Sequence, residues 1–526
     1  MAIVLIATQW IIGQAASGNS QIASLRQSES HRLLQKIETK AGETPTPQEF
    51  LPKSHRPVEK IETKAGETPT PQEFLPKSIC PAELPERIDA IATRPLFSRA
   101  RWGMSIQTLS NSQTLYSREA NRYFIPASNV KLLTTAAALR QLGAFYRIRT
   151  SIYGNEQVLR VVGRGDPSLT DEQLKDLAQQ LKRRGIRQIK QLILEDSYFQ
   201  GQVLNPEWEF GDMYTYYGTN VNSLILNQNA IALTLSPQEI GQPLKAVWGE
   251  PLAALQWELE NQSITVASGM QSDAEVNGIL GQPVLQIRGQ LAVDSKPVTQ
   301  FLAIRDPGKY FLQHFRTALA AEGIAVAKAS VVSKAGNGNE PEVAFVESPN
   351  LSKLIADTNQ QSNNLYAEVL LRSLGVSRNS NSANSAELGL TVVKDTLTQL
   401  GVDASGYMLA DGSGLSRHNL VSPEALVQTL KAMSKLPEAN IFRASLPVAG
   451  VSGTLSNRFK NTSAEGIVRA KTGTLSGNTA LSGYVDVPNY QTVVFSIIVN
   501  QSEQSAAPLR GAVDEMVVLL TRLKRC

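Results

Sequence analysis

The sequence comprises 526 residues, of which 42% are hydrophobic and 19% are charged. This mixture is typical of a globular protein, and at ~100–200 residues per domain the length predicts about two to four domains. Lys plus Arg number 51 and Asp plus Glu number 47, so the formal net charge is only +4. The small charge excess and the absence of any long basic block predict that nucleic acid is not a partner.

The chain opens with an apolar stretch. Residues 1–18 combine a short apolar core with small residues at Ala15 and Ala16, which is the pattern of a secretory signal. The apolar run is interrupted by Thr8 and Gln9 and is shorter than the ~20 residues of a membrane-spanning helix. We therefore predict a signal segment, export to the periplasm or cell envelope, and no integral membrane span.

An internal duplication follows. The segment KIETKAGETPTPQEFLPKS occurs at 36–54 and again, unchanged, at 60–78, with a period of 24 residues. Its Thr-Pro-Thr-Pro core removes backbone donors and prevents a continuous helix. Its Glu, Lys, Gln and Pro content leaves too little apolar surface to bury. We predict a disordered, semi-extended spacer over 19–78 and favour a plain tether over a partner-binding element.

The rest of the chain alternates between helix-rich and strand-rich parts. A helix and a strand hairpin come first, and several helices, three long strands and a final helix close the chain. Short strands separated by loops dominate between these parts, with only a few helices. We predict an α/β (α+β) domain over 79–150 plus 346–526, in which helices flank an antiparallel sheet. A large β-rich domain over 151–345 is inserted into it.

The chain has two cysteines, Cys80 and Cys526. Two cysteines cannot supply a metal-binding spacing, so we predict no metal site. Two interpretations of the pair remain open. The cysteines are either unrelated thiols or one disulfide, formed in an oxidising compartment, that ties the C-terminus to the start of the folded part. The sequence lacks a GxSxG pattern, which gives a Ser-His-Asp hydrolase little support.

The stretch FIPASNVKLLTTAAAL, at 124–139, places a serine three residues before a lysine at the start of an apolar run. In a helix, Ser128 and Lys131 would share one face, so the amine would reach the hydroxyl. The apolar neighbours of Lys131 remove water from the amine and lower its pKa. A neutral amine can accept the serine proton and create a nucleophile. A capping serine before a surface lysine gives the same pattern, so companion motifs must decide.

Two companion motifs are present. The triplet Ser-Asn-Asn at 362–364 lies on a loop that enters a predicted helix, where short polar side chains can face a cleft. The triplet Lys-Thr-Gly at 471–473 occurs once, on a predicted strand. Its cation and hydroxyl suit a carboxylate, and its glycine lets a ligand lie close to the backbone. The order SxxK, SxN, KTG is typical of penicillin-binding proteins and β-lactamases.

With these motifs, the sequence resembles the class C, low-molecular-mass penicillin-binding proteins, which are serine D-alanyl-D-alanine carboxypeptidases and endopeptidases. The resemblance covers roughly 80–526 and includes the long insertion, since 234 positions separate Ser128 from Ser362. The duplicated spacer is not part of the family pattern. The resemblance implies a serine transpeptidase/β-lactamase-like fold for the α/β domain. Further similar stretches are GRGDPSL at 163–169, NSLILNQN at 222–229, ADGSGLSRHN at 410–419 and LPVAGVSGTLSNRF at 446–459.

The resemblance implies roles for the residues of the first two motifs. Ser128 would attack the carbonyl group between two D-alanines and form an acyl-enzyme, with Lys131 as its base. Ser362 would relay the proton to the leaving amine, and Asn364 would hold the backbone amide of the substrate. Water would then hydrolyse the acyl-enzyme. No metal or organic cofactor takes part in this chemistry.

The third motif would bind the substrate. Lys471 and Thr472 would hold the terminal carboxylate, next to Gly473. The backbone amides of Ser128 and Thr474 would form the oxyanion hole. The implied partners are the stem peptide of peptidoglycan and, as inhibitors, the β-lactam antibiotics.

Two charged residues are looser candidates for substrate binding. In this family, positions such as Asp196 in EDSYF and Arg417 in GSGLSRHN can recognise the amine and carboxylate of a diamino-acid side chain. A structural ion pair or a surface charge would explain either residue equally well. Two other functions also remain open. One is a β-lactamase-like hydrolase, and the other is a non-catalytic protein that binds penicillin or peptidoglycan.

Overall fold

The computed structural model describes residues 78–334, 336 and 339–526. The predicted signal segment, 1–18, and the spacer up to residue 77 lie outside the described residues, so both stay predictions. Within the described ranges, no helix combines the length and the apolar character that a membrane span requires.

The described residues form eleven α-helices and twenty β-strands. The helices are α1 Leu84–Ala92, α2 Val130–Leu142, α3 Asp171–Arg183, α4 Pro251–Ala254, α5 Pro307–Ala321, α6 Leu351–Gln360, α7 Asn364–Arg378, α8 Ser385–Gln399, α9 Pro423–Ser434, α10 Ala439–Ala444 and α11 Ala506–Leu520. The strands are β1 Arg101–Thr108, β2 Thr114–Arg118, β3 Arg149–Gly154, β4 Val158–Val162, β5 Gln188–Glu195, β6 Ala230–Ser236, β7 Lys245–Trp248, β8 Glu258–Asn261, β9 Ile264–Val266, β10 Glu275–Gly278, β11 Val284–Arg288, β12 Gln290–Ala292, β13 Val298–Ala303, β14 Ala325–Val332, β15 Glu342–Glu347, β16 Tyr407–Met408, β17 Leu420–Val421, β18 Val468–Leu475, β19 Asn478–Asp486 and β20 Thr492–Asn500.

One five-stranded sheet joins the two ends of the chain. Its order is β18-β19-β20-β1-β2, and every neighbouring pair is antiparallel. Strands β19 and β20 are buried along almost their whole length. Because successive side chains of a strand point to opposite faces, such burial requires cover on both faces of the sheet. The predicted antiparallel sheet is therefore confirmed.

Helices provide that cover on each face. On one face, Phe495 and Ile497 of β20 share a core with apolar residues of α1 and α11. On the other face, Val494 and Ile498 belong to a core built from α2, α7 and α9. The alternation along β20 thus places a hydrophobic core on either side of the sheet. The second of these cores positions α2 and α7, which follow the SxxK serine and the SxN motif.

The strands β3–β15 form four further sheets, and none of these described strands pairs with the five-stranded sheet above. The largest has the order β14-β5-β4-β3-β15, with β14, β5 and β4 parallel to one another. Apolar residues of α3 and α5 pack against these strands in a core of their own. This pairing supports a division into 79–150 plus 346–526 and an insert over 151–345, and the division stays a prediction.

A disulfide joins the ends of the described chain. Cys80 and Cys526 are bonded, with their Cα atoms 5.8 Å apart. Beside the bond, the Ile79 amide donates to the carbonyl of Arg522 at 2.9 Å, and the Lys524 amide donates to the carbonyl of Ile79 at 3.1 Å. The two cysteines are therefore not unrelated thiols.

Candidate active site

Ser128 lies on a short turn at the entrance of α2. The sequence predicted this serine on the helix itself, but residues Ala127–Asn129 form a 3₁₀ segment and the α-helix begins at Val130. Ala127 has a φ of +47°, so the chain turns sharply just before the serine. Gly414 packs against the Ala127 carbonyl, and a Cβ at Gly414 would overlap that oxygen. The serine is therefore held on a strained turn, and its side chain is partly exposed.

Lys131 has no exposed surface. Its Nζ atom contacts Ser128 Oγ at 2.9 Å, the Asn364 side-chain oxygen at 2.6 Å and the Ser413 carbonyl at 2.6 Å. An ammonium group has three donors, so these three acceptors match it completely. The lysine thus joins the SxN motif and the loop at 410–419 to the turn Ala127–Asn129. This turn carries the predicted nucleophile, Ser128, and is called the nucleophile turn below.

The surroundings of Lys131 act on its pKa in opposite directions. The pKa of Lys131 is about 7, below its usual 10.5. Burial is the largest cause and lowers the pKa, while the charges of Asp411 and Glu368 raise it by less. Glu368 is itself fully buried, and burial together with the charge of Asp411 raises its pKa to about 7. A substantial fraction of the amine is therefore neutral near pH 7, as a general base requires.

Asp411 organises the loop at 410–419. Its carboxylate accepts from the main-chain amides of Gly414 and Ser416 at 2.6 and 2.7 Å, and from the Trp208 indole at 2.9 Å. These bonds fix the loop whose Ser413 carbonyl contacts Lys131. The sequence analysis singled out Arg417 in this stretch, but neither Asp411 nor Glu368. An acidic residue inside the quoted ADGSGLSRHN stretch was the available signal.

The SxN and KTG motifs form a second hydrogen-bonded pair. Lys471 Nζ donates to Ser362 Oγ at 2.8 Å and to the Thr472 carbonyl at 2.8 Å. Ser362 has a φ of +56°, so it too stands on a strained turn. Lys471 is fully buried, and burial lowers its pKa well below the usual value, with a further lowering from Lys131. The two lysines therefore lie close enough to influence each other.

Asn364 is held at both ends of its side-chain amide. The oxygen accepts from Lys131 at 2.6 Å, and the nitrogen donates to the Tyr217 carbonyl at 2.9 Å. Asn364 therefore orients the lysine amine in this structure. Tyr217 lies within 151–345, the range predicted as an insert, in a stretch that the sequence analysis did not single out.

Strand β18 lies directly beside the nucleophile turn. A Cβ at Gly473 would come within 2.6 Å of the Pro126 carbonyl oxygen and 3.1 Å of Ala127 Cβ. Glycine therefore allows the strand to lie this close to the turn. Thr472 is partly exposed and donates to the hydroxyl of Thr454 at 2.8 Å, and Thr474 is exposed.

The two looser candidates have different hydrogen-bond partners. Arg417 pairs with Glu209 at 2.6 Å and donates to the carbonyl of Ser476, directly after β18, at 3.2 Å. The Arg417 and Glu209 charges also act on Asp212, whose pKa burial raises. Arg417 therefore stands at the end of the KTG strand, with acidic neighbours from the insert.

Asp196 has a different set of partners. Its carboxylate accepts from the Asn222 side-chain nitrogen at 2.8 Å and from the Ser223 amide at 2.7 Å. It lines a groove of about 610 Å³ at the start of α5. These hydrogen bonds join it to neither the three motifs nor Arg417. Among the described residues, no group of three or more His, Cys, Asp or Glu is arranged to hold a metal ion.

Comparison with known proteins adds a family. Residues 84–523 match the model of the D-Ala-D-Ala carboxypeptidase 3 (S13) family. The sequence is 34% identical to a D-alanyl-D-alanine carboxypeptidase of Actinomadura sp. over 454 residues, which is 81% of this chain and 82% of the relative. It is 26% identical to the D-alanyl-D-alanine carboxypeptidase DacB of Haemophilus influenzae over 440 residues, which is 79% of this chain and 90% of the relative.

A crystal structure shares the fold. Penicillin binding protein 4 (dacB) of Haemophilus influenzae superposes with a TM-score of 0.73 at 24% identity, covering 83% of this chain and 99% of that protein. A complex of the same protein with a β-lactam superposes with a TM-score of 0.70 and covers 84% of this chain.

Proposed function

The chain belongs to the D-Ala-D-Ala carboxypeptidase 3 (S13) family, and from this premise we propose how its described residues cleave the bond between two D-alanines. The protein is a serine hydrolase of the penicillin-binding class. The observation that carries the proposal is the contact of 2.9 Å between Lys131 Nζ and Ser128 Oγ, made by an amine with no exposure to solvent. A buried amine of lowered pKa beside a hydroxyl is an activated nucleophile.

Acylation begins with neutral Lys131. Its Nζ takes the proton of Ser128 as Oγ bonds to the carbonyl carbon between the two D-alanines, and the carbonyl oxygen gains the negative charge. The backbone amides of Ser128 and Thr474 receive this oxyanion, an arrangement generally worth ~3–4 kcal/mol per donor. The proximity of β18 to the nucleophile turn, which Gly473 permits, supports this pairing of amides.

The carbon–nitrogen bond then breaks. Ser362 gives its hydroxyl proton to the leaving D-alanine amine and takes up the proton that Lys131 removed from Ser128. Lys471, whose Nζ lies 2.8 Å from the Ser362 oxygen, assists this transfer, and Lys131 is then neutral again. Asn364 keeps the Lys131 amine in place and offers its amide to the backbone of the substrate. Neutral Lys131 next accepts a proton from a water molecule that attacks the ester carbon. It returns this proton to Ser128 Oγ as the ester bond breaks and the acid product leaves.

Lys471 and Thr472 bind the terminal carboxylate. The pKa of Lys471 lies well below its usual value because the amine is buried. A carboxylate bound beside it favours the protonated form and supplies the missing counter-charge. Thr472 adds a hydroxyl donor on the partly exposed side of β18. β-Lactams carry a carboxylate at the corresponding place and acylate the same serine.

Recognition of the stem-peptide side chain falls to the insert and the loop at 410–419. Arg417, at the end of β18, takes a carboxylate, and the acidic Glu209 and Asp212 beside it take an amine. The family resemblance made Asp196 a looser candidate for the amine, with a structural role as the alternative, and its bonds to Asn222 and Ser223 favour the structural role.

Export to the periplasm or cell envelope fits both the substrate and the disulfide. Peptidoglycan is assembled outside the cytoplasm, and a disulfide such as Cys80–Cys526 persists in oxidising compartments. Fractionation of cells that produce the protein tests this, and recovery of reduced protein from the cytoplasm alone would contradict it.

Labelling with fluorescent penicillin tests the proposed chemistry. A long-lived covalent adduct on the wild type, and none on Ser128→Ala, is the expected result. Rapid turnover of the drug would instead favour the β-lactamase-like alternative, and no labelling would favour a non-catalytic binding protein. A digest of purified sacculi then separates the two peptidase activities. Release of free D-alanine marks carboxypeptidase action, and conversion of dimeric muropeptides to monomers marks endopeptidase action.

A further inference from the structure

Three consecutive residues of the insert adopt a left-handed backbone conformation. Asn227, Gln228 and Asn229 have φ values of +48°, +58° and +51°. Apart from glycine, and occasionally asparagine or aspartate, residues rarely adopt this conformation, and then only singly, because Cβ approaches the following carbonyl oxygen. Such strain persists only where the surroundings hold it, and it is concentrated at functional sites. The turn lies between the site and β6.

The two asparagines of this turn are anchored in the insert. The Asn227 side-chain nitrogen donates to Asp171 at 2.8 Å and to the Tyr310 hydroxyl at 3.0 Å. The Asn229 side-chain oxygen accepts from the Leu226 amide at 3.2 Å. The Asn229 nitrogen and carbonyl bond with surrounding chain as well. The two asparagines therefore fix the position of the turn, and Gln228 lies between them.

That middle side chain reaches the SxN motif. Gln228 Oε1 accepts from the Asn363 side-chain nitrogen at 2.6 Å. The Asn363 side-chain oxygen caps α7 by accepting from the Tyr366 amide at 3.2 Å, and its main-chain amide donates to Thr358 at 3.1 Å. The middle residue of the motif is thus held from the helix on one side and from the insert on the other.

Both neighbours of Asn363 take part in the chemistry. Ser362 accepts from Lys471, and Asn364 accepts from Lys131. Ser362 also needs support because its φ is +56°. A displacement of Asn363 would therefore misplace the proton relay and the base together, and small misplacements of reacting groups reduce rates strongly.

We propose that Gln228 is a positioning residue, through which the insert holds the SxN loop in its reactive geometry. The proposal rests on the proposed function, because its readout is the acylation of Ser128. It also assigns a task to the insert: the Tyr217 carbonyl holds Asn364, and Gln228 holds Asn363. The side-chain amides of Asn363 and Asn364 therefore both donate a hydrogen bond to a residue of the predicted insert.

A cycle of nearly isosteric variants tests the hydrogen bond. In Gln228→Glu, the carboxylate still accepts from Asn363. In Asn363→Asp, the α7 cap is kept, and the Gln228 amide can rotate to donate its NH₂. The double variant places two acceptors face to face, which a hydrogen bond cannot join. We expect each single variant to acylate within about fivefold of the wild type, and the double variant to lose at least about a hundredfold.

Glycine at position 228 distinguishes the effect of the Gln228 side chain from the effect of the backbone turn. Gln228→Gly favours the left-handed backbone but removes the side chain. We expect its acylation rate constant to fall about tenfold or more, with unchanged penicillin affinity and a melting temperature at or above that of the wild type. Gln501→Gly is the matched control, since Gln501 is exposed and has a φ of +57°. It should acylate like the wild type.

Two results would overturn the proposal: a double-variant loss equal to the product of the single losses, or wild-type acylation by Gln228→Gly. If Ser128→Ala still becomes labelled, the proposed function fails instead. Labelling that depends on Ser128 but not on Gln228 removes only the positioning role. Melting curves of every variant show whether a loss reflects unfolding.

Discussion

The Nζ atom of Lys131 lies 2.6 Å from the side-chain oxygen of Asn364, although 233 residues separate them in the sequence. This bond joins the helix that carries Lys131 to the helix that begins at Asn364, which the predicted insert separates in the sequence. It turns two sequence motifs into one site, because the same amine also contacts the nucleophile.

Replacement of Lys131 by methionine should remove acylation without loss of the fold. Methionine fills the volume of the buried side chain but offers no base, so labelling by fluorescent penicillin should fall at least about a thousandfold. Circular dichroism and melting curves provide the control. Labelling at the wild-type rate would show that another group accepts the proton.

The same variant makes a prediction about stability and pH. The folded-state pKa of Lys131 is about 7 and the usual value is 10.5, so the unfolded chain binds more protons between these values. The free energy of unfolding of the wild type should therefore rise from pH 7 to pH 10 relative to that of Lys131→Met. Denaturant titrations at several pH values measure this. A pH-independent difference between the two proteins would contradict the lowered pKa.

Acylation should depend on pH through the same amine. The second-order rate constant should increase about tenfold per pH unit below 7 and level off above it, because only neutral Lys131 accepts a proton. Glu368 raises the pKa of Lys131, so Glu368→Gln should move the midpoint to lower pH. Stopped-flow labelling across pH 5–9, a range of about four units around the apparent pKa of the coupled groups, measures both profiles. Identical midpoints would show that Glu368 does not act on the base.

Alanine at Gly473 should separate β18 from the nucleophile turn. The added Cβ would lie 2.6 Å from the Pro126 carbonyl oxygen, so the strand must move, and the oxyanion hole with it. We expect acylation to fall about a hundredfold, as for loss of one oxyanion donor. Gly511→Ala is the matched control, since that glycine is exposed on α11 with open space around it. Equal acylation rates for the two variants would show that β18 does not contribute to the oxyanion hole.

Arg417 and Asp196 should differ in their effect on substrates. Arg417→Ala should raise the KM for stem peptides that carry a diamino-acid side chain about tenfold or more, and leave penicillin acylation within about twofold. Asp196→Asn keeps the shape of a residue bound to Asn222 and Ser223, and should change neither value. A larger KM effect for Asp196→Asn would restore the assignment made from the sequence.

Loss of the disulfide should lower stability and spare the chemistry. Cys80→Ser or Cys526→Ser should each reduce the free energy of unfolding by about 2–5 kcal/mol, and the double variant by the same amount. Reductant should have the same effect on the melting temperature of the wild type and none on that of the variants. Additive losses would mean that the cysteines act independently.

Much of the site could be predicted from the letters because its chemistry depends on residue type and short spacing. A serine and a lysine three positions apart must meet near a helix entrance, and an apolar run around Lys131 indicates a dry amine. The antiparallel sheet was equally predictable, because β20 carries a long apolar run and β19 has the residue pattern of a second strand. The 3₁₀ turn at Ser128 was not, since its geometry depends on the packing of Gly414 against Ala127.

The sequence by itself determined the three motifs and the antiparallel sheet with its helices, because periodicity and local chemistry carry these properties. The long insert stays a prediction. Tertiary structure alone decided which distant groups surround the motifs: Asp411 and Glu368 near Lys131, Gln228 against Asn363, and Arg417 at the end of the KTG strand. Hydrogen bonds and charges act over a few ångströms in space, whatever the separation along the chain. A local pattern can draw attention to single residues such as Arg417, but it cannot show which distant residues meet in the site.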